Sequence, residues 1–495
     1  MPTITLSPPS EEPREMSLQY PADSVEASNI DDETPRVQSG SGSGKPAYSQ
    51  AEIRNNADML WRAGQAERQA QRFDSAVQEV LSFVQPHHSQ ITYRASVVAL
   101  IKRQVRSVLR VNAFECSLHV LRCFLPDDPT RLTVILGRTR VAQWHKTLHD
   151  RLTVLAEQPE LSRAACPADD DFAVDGDDEF PLFDHVLSKV QVASEDANFK
   201  VDCVVDAIES SISCNRRGDI CLLAFVEEFA NLVGQDDLFK RSLQLIRAWW
   251  FYETAAYVGA SIRHYIPDGA MCIMVCAIFN QFHMRISSPL QALCLFLAEY
   301  SAYDGATQAI TLQGIVPYPE GSQLGLMEPR ESHLVSAVIM DKYWVLVNIQ
   351  EATSSAQHFN QAQQITEELN EDLTRGAFLT KGHKSCYQSV YPGVRSASQR
   401  AYAPGTARFE RSGFNVANPF VNANMVEKLV TRRLQKVQKA FVAGAAQCFT
   451  VFSCANGDES SAIRALFPVV CNRFGRGFVR PDHIGETAPN FRHVQ

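Results

Sequence analysis

The spacing of apolar residues predicts two amphipathic helices near the start of the patterned part of the chain. Within 73–84 the apolar side chains recur at the i, i+3, i+4, i+7 spacing of one helix face, and Pro86 ends the pattern. A second helix is predicted from there to about Arg110, with apolar residues on one side and Arg or Lys on the other.

Short apolar runs that are typical of β-strands follow these two helices. They are Leu118–Leu125, Leu132–Leu136 and Phe199–Cys214. From Asp219 to about Tyr303 the chain is densely apolar at helical spacing, which predicts a group of packed helices.

A final amphipathic helix is predicted from Met425 to about Ala445. Its apolar side consists of Val430, Leu434, Val437 and Phe441. Its opposite side carries the cations Lys428, Arg432, Lys436 and Lys439. Two interpretations are open for these cations: the solvated outer face of a packed helix, or a row of charges that contacts a nucleic-acid backbone.

Composition changes this picture at two acidic segments. Residues 1–48 are rich in Pro, Ser and acids and finish in SGSGSG at Ser39–Gly44, which predicts a disordered tail with a flexible linker. Residues 165–185 hold eight acidic residues and no Lys or Arg, which predicts a solvated loop. The net charges of 1–45 and 165–185 are −5 and −8, so the rest of this chain of net charge −9 carries +4. The body is therefore mildly basic.

Several classes of protein are excluded by the composition. The longest strongly apolar run, Ala270–Phe279, falls short of the roughly 18 residues of a membrane span, and residues 1–48 do not resemble a targeting peptide. The thirteen cysteines form no C-x-x-C pair, and Cys272 and Cys276 on one helix face have no matching pair for a metal ion. Buried reduced thiols and a cytoplasmic or nuclear location are expected, with no membrane partner and no indication of the oligomeric state.

Several passages, taken in order, resemble one enzyme superfamily. VDCVVDAIESSISCN at 201–215 is followed by LFKRS at 238–242 and RAWWFYE at 247–253, and NVANPFVN at 415–422 precedes the last helix. This order resembles the poly(A) polymerase and 2′-5′-oligoadenylate synthetase superfamily, especially the non-conventional poly(A) polymerase-like group and the plant nucleotidyltransferase-domain proteins. The resemblance covers about residues 70–310 and 413–446.

The resemblance implies an α+β fold, with a nucleotidyltransferase-like mixed sheet domain beside an all-α substrate-binding domain of the poly(A) polymerase/oligoadenylate synthetase type. A nucleotide would bind in the cleft between them. The expected boundaries are 49–215 for the sheet domain, 216–309 and 413–495 for the helical domain, and 310–412 for a loop-rich insertion.

The chemistry implied by the resemblance is attack of an RNA 3′-hydroxyl on the α-phosphate of a nucleoside triphosphate. Two metal ions, Mg²⁺ or Mn²⁺, stabilise the charge of the nucleophile and of the leaving group. Hard cations of this kind require carboxylate oxygens. Two come from an Asp-x-Asp pair, whose spacing places both on one face of a strand, and the third comes from a neighbouring strand.

The matching positions in this chain lack these carboxylates. The Asp-x-Asp pair falls on Pro129 and Arg131, and the third Asp falls on Ser211. A guanidinium in place of a ligand also repels a divalent ion. No catalytic residue, no metal ligand and no cofactor is therefore predicted.

Other matching positions differ as well. The Gly-Ser turn of the family falls on Ser117-Leu118, and its phosphate-binding Ser-x-Tyr falls on Pro267 and Gly269. At two further positions where the family carries a cation, this chain also has one, namely Lys240 and Arg247. We expect these two residues to face phosphate, as we do for the basic side of the last helix.

Three hypotheses of function follow. The first is a catalytically inactive nucleotidyltransferase-like protein that binds RNA or a protein partner in RNA metabolism. The second is an active enzyme that adds A or U to RNA 3′ ends with relocated ligands, namely Asp127 or Asp128 with Asp206 or Glu209. The third is a structural subunit of a ribonucleoprotein or protein complex, with residues 310–412 as its docking surface.

Overall fold

The computed structural model describes most of the chain between residues 65 and 474. The described residues are 65–137, 143–158, 185–195, 198–259, 261–318, 333–336, 339–340, 342–343, 347, 364, 366–370, 373, 409–421, 423–426, 429–453 and 458–474. The predicted tail 1–48 and almost all of the predicted acidic loop 165–185 lie outside them.

The first half of the described chain forms a sheet with three helices. The elements are α1 (Gln65–Val84), α2 (His88–Leu109), β1 (Ala113–Glu115), β2 (Thr130–Val134), α3 (Trp144–Glu157), β3 (Leu187–Glu195), β4 (Asn198–Val205) and β5 (Ile208–Cys214). The predicted helices at 73–84 and up to about 110 are confirmed by α1 and α2.

The sheet is mixed and has the strand order β1-β2-β5-β4-β3. Strands β2 and β5 are parallel, whereas the other neighbouring pairs are antiparallel. Alternate residues of a strand point to opposite faces. Leu132 and Val134 of β2 and Ile212 of β5 pack with α2 and α3 in one core, so Arg131 lies on the opposite face. The mixed sheet and the helices together confirm the predicted α+β class.

The second half of the described chain is mainly helical. Its elements are α4 (Arg217–Val233), α5 (Leu238–Ala248), a π-helical turn (Trp249–Glu253), α6 (Thr254–Val258), α7 (Asp268–Phe282), a 3-10 turn (His283–Arg285), α8 (Pro289–Ser301), β6 (Gln308–Thr311), β7 (Gly314–Pro317), α9 (Thr431–Ser453), α10 (Glu459–Leu466) and α11 (Pro468–Phe474). Helices α7 and α8 are buried almost throughout, as their continuous apolar character predicts.

No helix in these ranges is by itself long and apolar enough to cross a membrane. Only α7 with its following turn, taken together with α8 at a bend of 118°, passes that test by length and composition.

Three sequence-based expectations need correction. Leu118–Leu125 forms turns instead of a strand, because the Leu121 and Arg122 N–H groups bond back to carbonyls three residues earlier. The run Phe199–Cys214 is a hairpin of β4 and β5, with Asp206 at the turn in the left-handed region. The last amphipathic helix begins at Thr431, so Val430 precedes it and is 62% exposed.

The described part of the predicted insertion 310–412 contributes to the main core. Tyr343 is fully buried and contacts Phe225 of α4 and Phe420. Leu369 and Leu373 are also buried in the same core. Strand β7 and the end of β6 also lie in this range, and Ile310 of β6 pairs with Val416. These residues are therefore packed against the helices.

Helix α9 packs closely on the π-helical turn, and Gly444 is the point of closest approach. A Cβ atom added at Gly444 would lie 2.3 Å from Cζ2 of Trp249, which is fully buried. No real structure tolerates that distance, so either the indole ring or the helix would have to move.

We predict that Gly444→Ala lowers the free energy of unfolding by about 1–3 kcal/mol, the usual cost of overpacking a core. Helix propensity alone would favour alanine by about 1 kcal/mol. The matched control is Gly218→Ala in α4, where an added Cβ meets nothing within 4 Å and stability should be unchanged or slightly higher. Urea unfolding of both variants checks the prediction, and a stabilised Gly444→Ala protein would contradict it.

Candidate functional site

The positions matched to metal ligands lie on the sheet face that points away from α2 and α3. Arg131 of β2 and Ser211 of β5 are direct partners in the parallel pair. Asp202 of β4 is in turn the partner of Ser211. A guanidinium, a hydroxyl and a carboxylate therefore follow one another across three strands, and the carboxylate is 3.7 Å from Lys200 Nζ.

Arg131 belongs to a chain of ion pairs that joins the sheet to the helices. Its Nη1 lies 2.8 Å from Oδ2 of Asp268, the first residue of α7. The other oxygen of Asp268 accepts a hydrogen bond of 2.8 Å from Nη2 of Arg247 in α5. Arg247 also forms a two-pronged pair with Asp128, at 2.8 and 3.0 Å. Two arginines and two carboxylates thus alternate in one network.

The electrostatics of this network favour its charged form. Burial alone would raise the pKa of Asp268, but Arg247 and Arg131 outweigh burial and lower it to about 2. The position of Asp268 at the start of a helix also favours a negative charge. Burial would likewise lower the pKa of Arg247, yet Asp128 and Asp268 raise it above its usual value. Asp268 and Arg247 are therefore both ionised at neutral pH.

Asp127 and Asp128 lie in the turn that precedes β2. Pro126 follows Leu125 and occupies the second position of a β-turn, which Asp128 closes through its N–H to the Leu125 carbonyl at 3.1 Å. The Asp128 carboxylate accepts the Leu125 N–H in return, at 2.7 Å. We call 125–128 the acidic turn.

Asp127 in the acidic turn holds the C-terminal helix. Both of its oxygens accept hydrogen bonds from Arg473 of α11, each at 2.9 Å. The hydroxyl of Tyr252 donates to the same carboxylate at 2.7 Å. Burial first and Asp127 second raise the pKa of Tyr252 above its usual value, so the phenol remains protonated.

A third arginine holds the backbone of the acidic turn. Arg94 of α2 is almost fully buried, and its two Nη atoms donate to the carbonyls of Asp128 and Pro126 at 2.7 and 2.8 Å. Its guanidinium also lies over the ring of Phe124, 4.7 Å from the centroid. The turn is therefore bound by arginines from three helices, α2, α5 and α11.

The two other proposed ligands, Asp206 and Glu209, lie in different places. Asp206 accepts hydrogen bonds from His185 Nδ1 and the Val186 N–H, each at 2.8 Å, and from the hydroxyl of Tyr93. Glu209 lies on β5 two residues before Ser211, on the same face, and is exposed. Across the described ranges, no group of three His, Cys, Asp or Glu side chains is arranged to hold a metal ion.

The two-metal arrangement of the family therefore does not fit these residues. Asp268 and Asp128 are the carboxylates nearest to Arg131 in the network, and each is already bonded to a guanidinium. A metal ion would have to displace an arginine from a buried or half-buried pair.

The described cysteines are free thiols and most are buried, in agreement with the reduced state expected from the sequence.

The positions matched to phosphate-binding groups are also engaged within the protein. The Ser117 hydroxyl donates to buried Glu115 at 2.7 Å. Pro267 precedes α7, and Gly269 lies in its first turn close to the side chains of Leu222 and Met425. Asp268, between these two positions, is the residue that reaches Arg131.

The predicted cations fall into two groups. Lys240 is 2.8 Å from Glu227, and Arg247 is only 4% exposed and bonded to two carboxylates, although the sequence predicts that both face phosphate. Arg432 and Lys439 of α9 are exposed and Lys436 is half-buried. None of these three is paired with a carboxylate in the part of the chain that the structure describes. Lys428 lies outside the described residues.

Sequence reasoning missed Asp268 and Arg473, the two network members contributed by α7 and α11. Asp268 lies between Pro267 and Gly269, the positions matched to Ser-x-Tyr. An acidic residue between two mismatched positions was the one available signal. Arg473 carried no signal, because its partner Asp127 is 346 residues away in the sequence.

Glu253 provides a further buried charge next to this network. It is fully buried at the end of the π-helical turn, and its two oxygens accept the N–H groups of Val469 and Val470 at 2.9 Å. The side chain thereby binds the N-terminus of α11. Burial raises its pKa to about 7, against the smaller opposite effect of the two hydrogen bonds.

We predict that Arg247→Met lowers the free energy of unfolding by about 3–5 kcal/mol, because Asp128 would remain buried without its cation. Arg216→Met is the control, since Arg216 forms an exposed pair with Asp219 and its loss should cost about 1 kcal/mol or less. Denaturant unfolding measures both values. A loss below 1 kcal/mol for Arg247→Met would show that the pair does not hold the acidic turn.

Glu253 predicts a pH dependence of stability. Its pKa is raised from the ordinary 4.5, so the folded protein binds more protons than the unfolded chain between pH 4.5 and about 7. Stability therefore falls as the pH rises through this window, by up to about 3 kcal/mol from this group.

Glu253→Gln removes the titrating carboxyl and with it this pH-dependent contribution to stability. The difference in the free energy of unfolding between wild type and variant should therefore change between pH 4.5 and about 7 and be constant above pH 7. Chemical denaturation at a series of pH values measures the difference. A difference that is constant from pH 4.5 to 7.5 would contradict the assignment.

Comparisons with known proteins agree with this architecture. Residues 233–389 match the family model of the PAP/OAS1 substrate-binding domain, a range that includes part of the predicted insertion. No sequence among the curated proteins matches the chain significantly.

The solved structures to which the chain is similar include the following three. The Cid1 poly(U) polymerase bound to MgATP has a TM-score of 0.45 at 8% identity, covering 80% of this chain and 98% of that chain. A cytoplasmic RNA terminal U-transferase has a TM-score of 0.44 at 8% identity, covering 81% and 98%. The mtPAP complex with ATPγS has a TM-score of 0.42 at 11% identity, covering 88% and 79%. The match over residues 233–389 and the mixed five-stranded sheet thus support a poly(A) polymerase/oligoadenylate synthetase-like fold for this chain.

Proposed function

We propose that this chain is a catalytically inactive nucleotidyltransferase-like protein that binds RNA without transferring nucleotides to it. The observation that carries the proposal is the ion pair of Arg131 with Asp268. It joins β2 to α7 at the place where the resemblance puts two metal ions.

Electrostatics support the absence of transfer. A unit positive charge 4 Å from a divalent ion is repelled by about 2 kcal/mol in water, and by more where the effective dielectric constant is lower. Arg131 would exert this repulsion at a position that should supply attraction. Asp127 and Asp128, the two alternatives for the first relocated ligand, instead hold Arg473 and Arg247.

The contrast between paired and unpaired cations supports the RNA-binding role. Charges that are bonded to carboxylates inside the protein have little capacity left for an external polyanion. Arg432, Lys436 and Lys439 of α9 have no such partner among the described contacts. We call these three residues the basic surface and propose that RNA phosphates contact it. A cytoplasmic or nuclear location and the predicted domain boundaries remain part of this proposal.

We predict no primer extension when the full-length protein is incubated with Mg²⁺ or Mn²⁺, each nucleoside triphosphate and an RNA primer. Gel analysis of a labelled primer provides the measurement. Extension that a single substitution such as Asp206→Asn or Asp202→Asn abolishes would establish an active enzyme and overturn the proposal. Extension that also survives Asp127→Asn, Asp128→Asn and Glu209→Gln would indicate a contaminating enzyme.

We predict that RNA binding weakens steeply as salt is raised and depends on the basic surface. Each phosphate contact to single-stranded RNA contributes about 0.7 to the slope of log affinity against log salt. The triple variant Arg432→Gln, Lys436→Gln, Lys439→Gln should therefore lose about 2 units of slope, as measured by fluorescence anisotropy with a labelled oligonucleotide.

The control is Arg72→Gln, Arg216→Gln, Arg464→Gln, because these cations are also exposed but already paired with carboxylates. It should retain nearly the wild-type slope. Equal slopes in both triple variants would place the RNA on another surface. No binding by wild type at low salt would contradict RNA binding and favour the structural subunit.

A further inference from the structure

Two exposed arginines at or near the start of α9 lie over aromatic rings. The Cζ atom of Arg433, in α9, is 5.4 Å from the ring centroid of Tyr265. The Cζ atom of Arg263 is 4.8 Å from the ring centroid of Phe251. Neither arginine forms an ion pair with a carboxylate in the part of the chain that the structure describes. Each guanidinium is attracted by the π face of its ring, and its charge remains available to a ligand.

Arg433 joins Tyr265 to the basic surface. It lies three residues before Lys436, and residues three apart are neighbours on the surface of a helix. Tyr265 is in a turn just before α7, where its N–H bonds to the Ile262 carbonyl at 2.9 Å. The residue is half-buried, because part of it packs against the main core. The remainder of the ring therefore lies at the edge of the basic surface.

The two residues before Tyr265 continue this surface toward the network around Arg131. Arg263 and His264 are exposed, and the Arg263 Nε–H donates to His264 Nε2 at 2.8 Å. Burial first and Arg263 second lower the pKa of His264, so its imidazole is neutral at neutral pH. The charges of Arg131 and Asp268 also act on His264, so the network is close by. Three consecutive residues thus carry planar groups, namely a guanidinium, an imidazole and a phenol.

Planar groups beside cations suit one ligand chemistry, the unpaired bases of RNA. Bases stack on aromatic side chains and on guanidinium planes, whereas phosphates are attracted by the cations. In a duplex the bases are paired and stacked on one another, so their faces cannot reach a side chain. Cations alone would accept any polyanion. The planar groups therefore add a preference for exposed bases.

We propose that Tyr265, Arg433, Arg263 and His264 form a stacking site for unpaired RNA bases beside the basic surface. The inference rests on the proposed function, because RNA held by the basic surface is what brings bases to Tyr265. None of these four residues occupies a position that the resemblance matches to a metal ligand or to a phosphate-binding group. The stacking site therefore does not require a retained catalytic centre.

The test compares two labelled oligonucleotides of equal length and equal number of phosphates. One is oligouridine, and the other has the same ribose-phosphate backbone without bases. Fluorescence anisotropy measures the affinity of the full-length protein for each at the same salt concentration. One stacked base contributes at least about fivefold to affinity, so wild type should bind oligouridine at least about fivefold more tightly. We call this ratio of affinities the base effect.

Tyr265→Leu keeps an apolar side chain against the core but removes the ring, so the base effect should fall below about twofold. Its salt dependence should match that of wild type, because no phosphate contact is removed. Tyr265→Phe retains the ring and should retain the base effect. The control Phe199→Leu removes a ring of β4 that is 40% exposed but lies on the sheet, and it should leave the base effect unchanged.

If Tyr265→Leu does not fold, Arg433→Gln replaces it, and loss of the guanidinium plane should lower the base effect at least about twofold. Equal affinity of wild type for both oligonucleotides would overturn the stacking site while leaving RNA binding intact. A base effect that persists in Tyr265→Leu, or in its replacement, would place the bases elsewhere and also overturn the stacking site. Absence of binding to either oligonucleotide at low salt would contradict the proposed function itself, and the stacking site with it.

Discussion

The structure depends on one short turn whose two carboxylates are bound by arginines from distant parts of the chain. Asp128 holds Arg247 of α5, and Asp127 holds Arg473 of α11. Arg94 of α2 binds the carbonyls of the same turn. The acidic turn connects β1 to β2, so these bonds join the sheet to the helices. Buried or half-buried charges must be paired, and this requirement fixes the relative positions of all four elements.

The same requirement bears on the proposed absence of nucleotide transfer. In a two-metal enzyme, unpaired carboxylates face the cleft and the ions balance their charge. Here Arg131 and Arg247 supply the balancing charge from within the chain, with Asp268 between them. The network is neutral overall and complete without any added ion. Each carboxylate of this network is already paired with an arginine, so a metal ion would have to displace an arginine to bind there.

Pairing also separates the surfaces that could meet a polyanion from those that could not. Cations near the sheet are matched with carboxylates, as Lys240 is with Glu227. The cations on the exposed side of α9 have no such match among the described contacts. The positive character expected from the charge of +4 outside the two acidic segments is thus available only at particular places.

The sequence by itself determined most of the helices, the fold class and which residues occupy the positions matched to metal ligands. Apolar spacing is a local property, and the order of the quoted passages, ending with NVANPFVN, was specific enough to indicate the family. The sequence also showed that position 131 is a cation and position 211 a serine. It did not predict that Leu118–Leu125 forms turns, because an apolar run without clear periodicity is consistent with either structure.

Only the tertiary structure decided which charges are paired. Asp127 and Arg473 are separated by 346 residues, and Arg131 and Asp268 by 137, so no local pattern connects them. Whether a lysine or arginine faces solvent, a carboxylate or nothing depends on the packing of elements that are far apart in the chain. This is why Arg247 could be named from the sequence but its partners could not. It is also why the contact of Arg433 with Tyr265 became visible only in three dimensions.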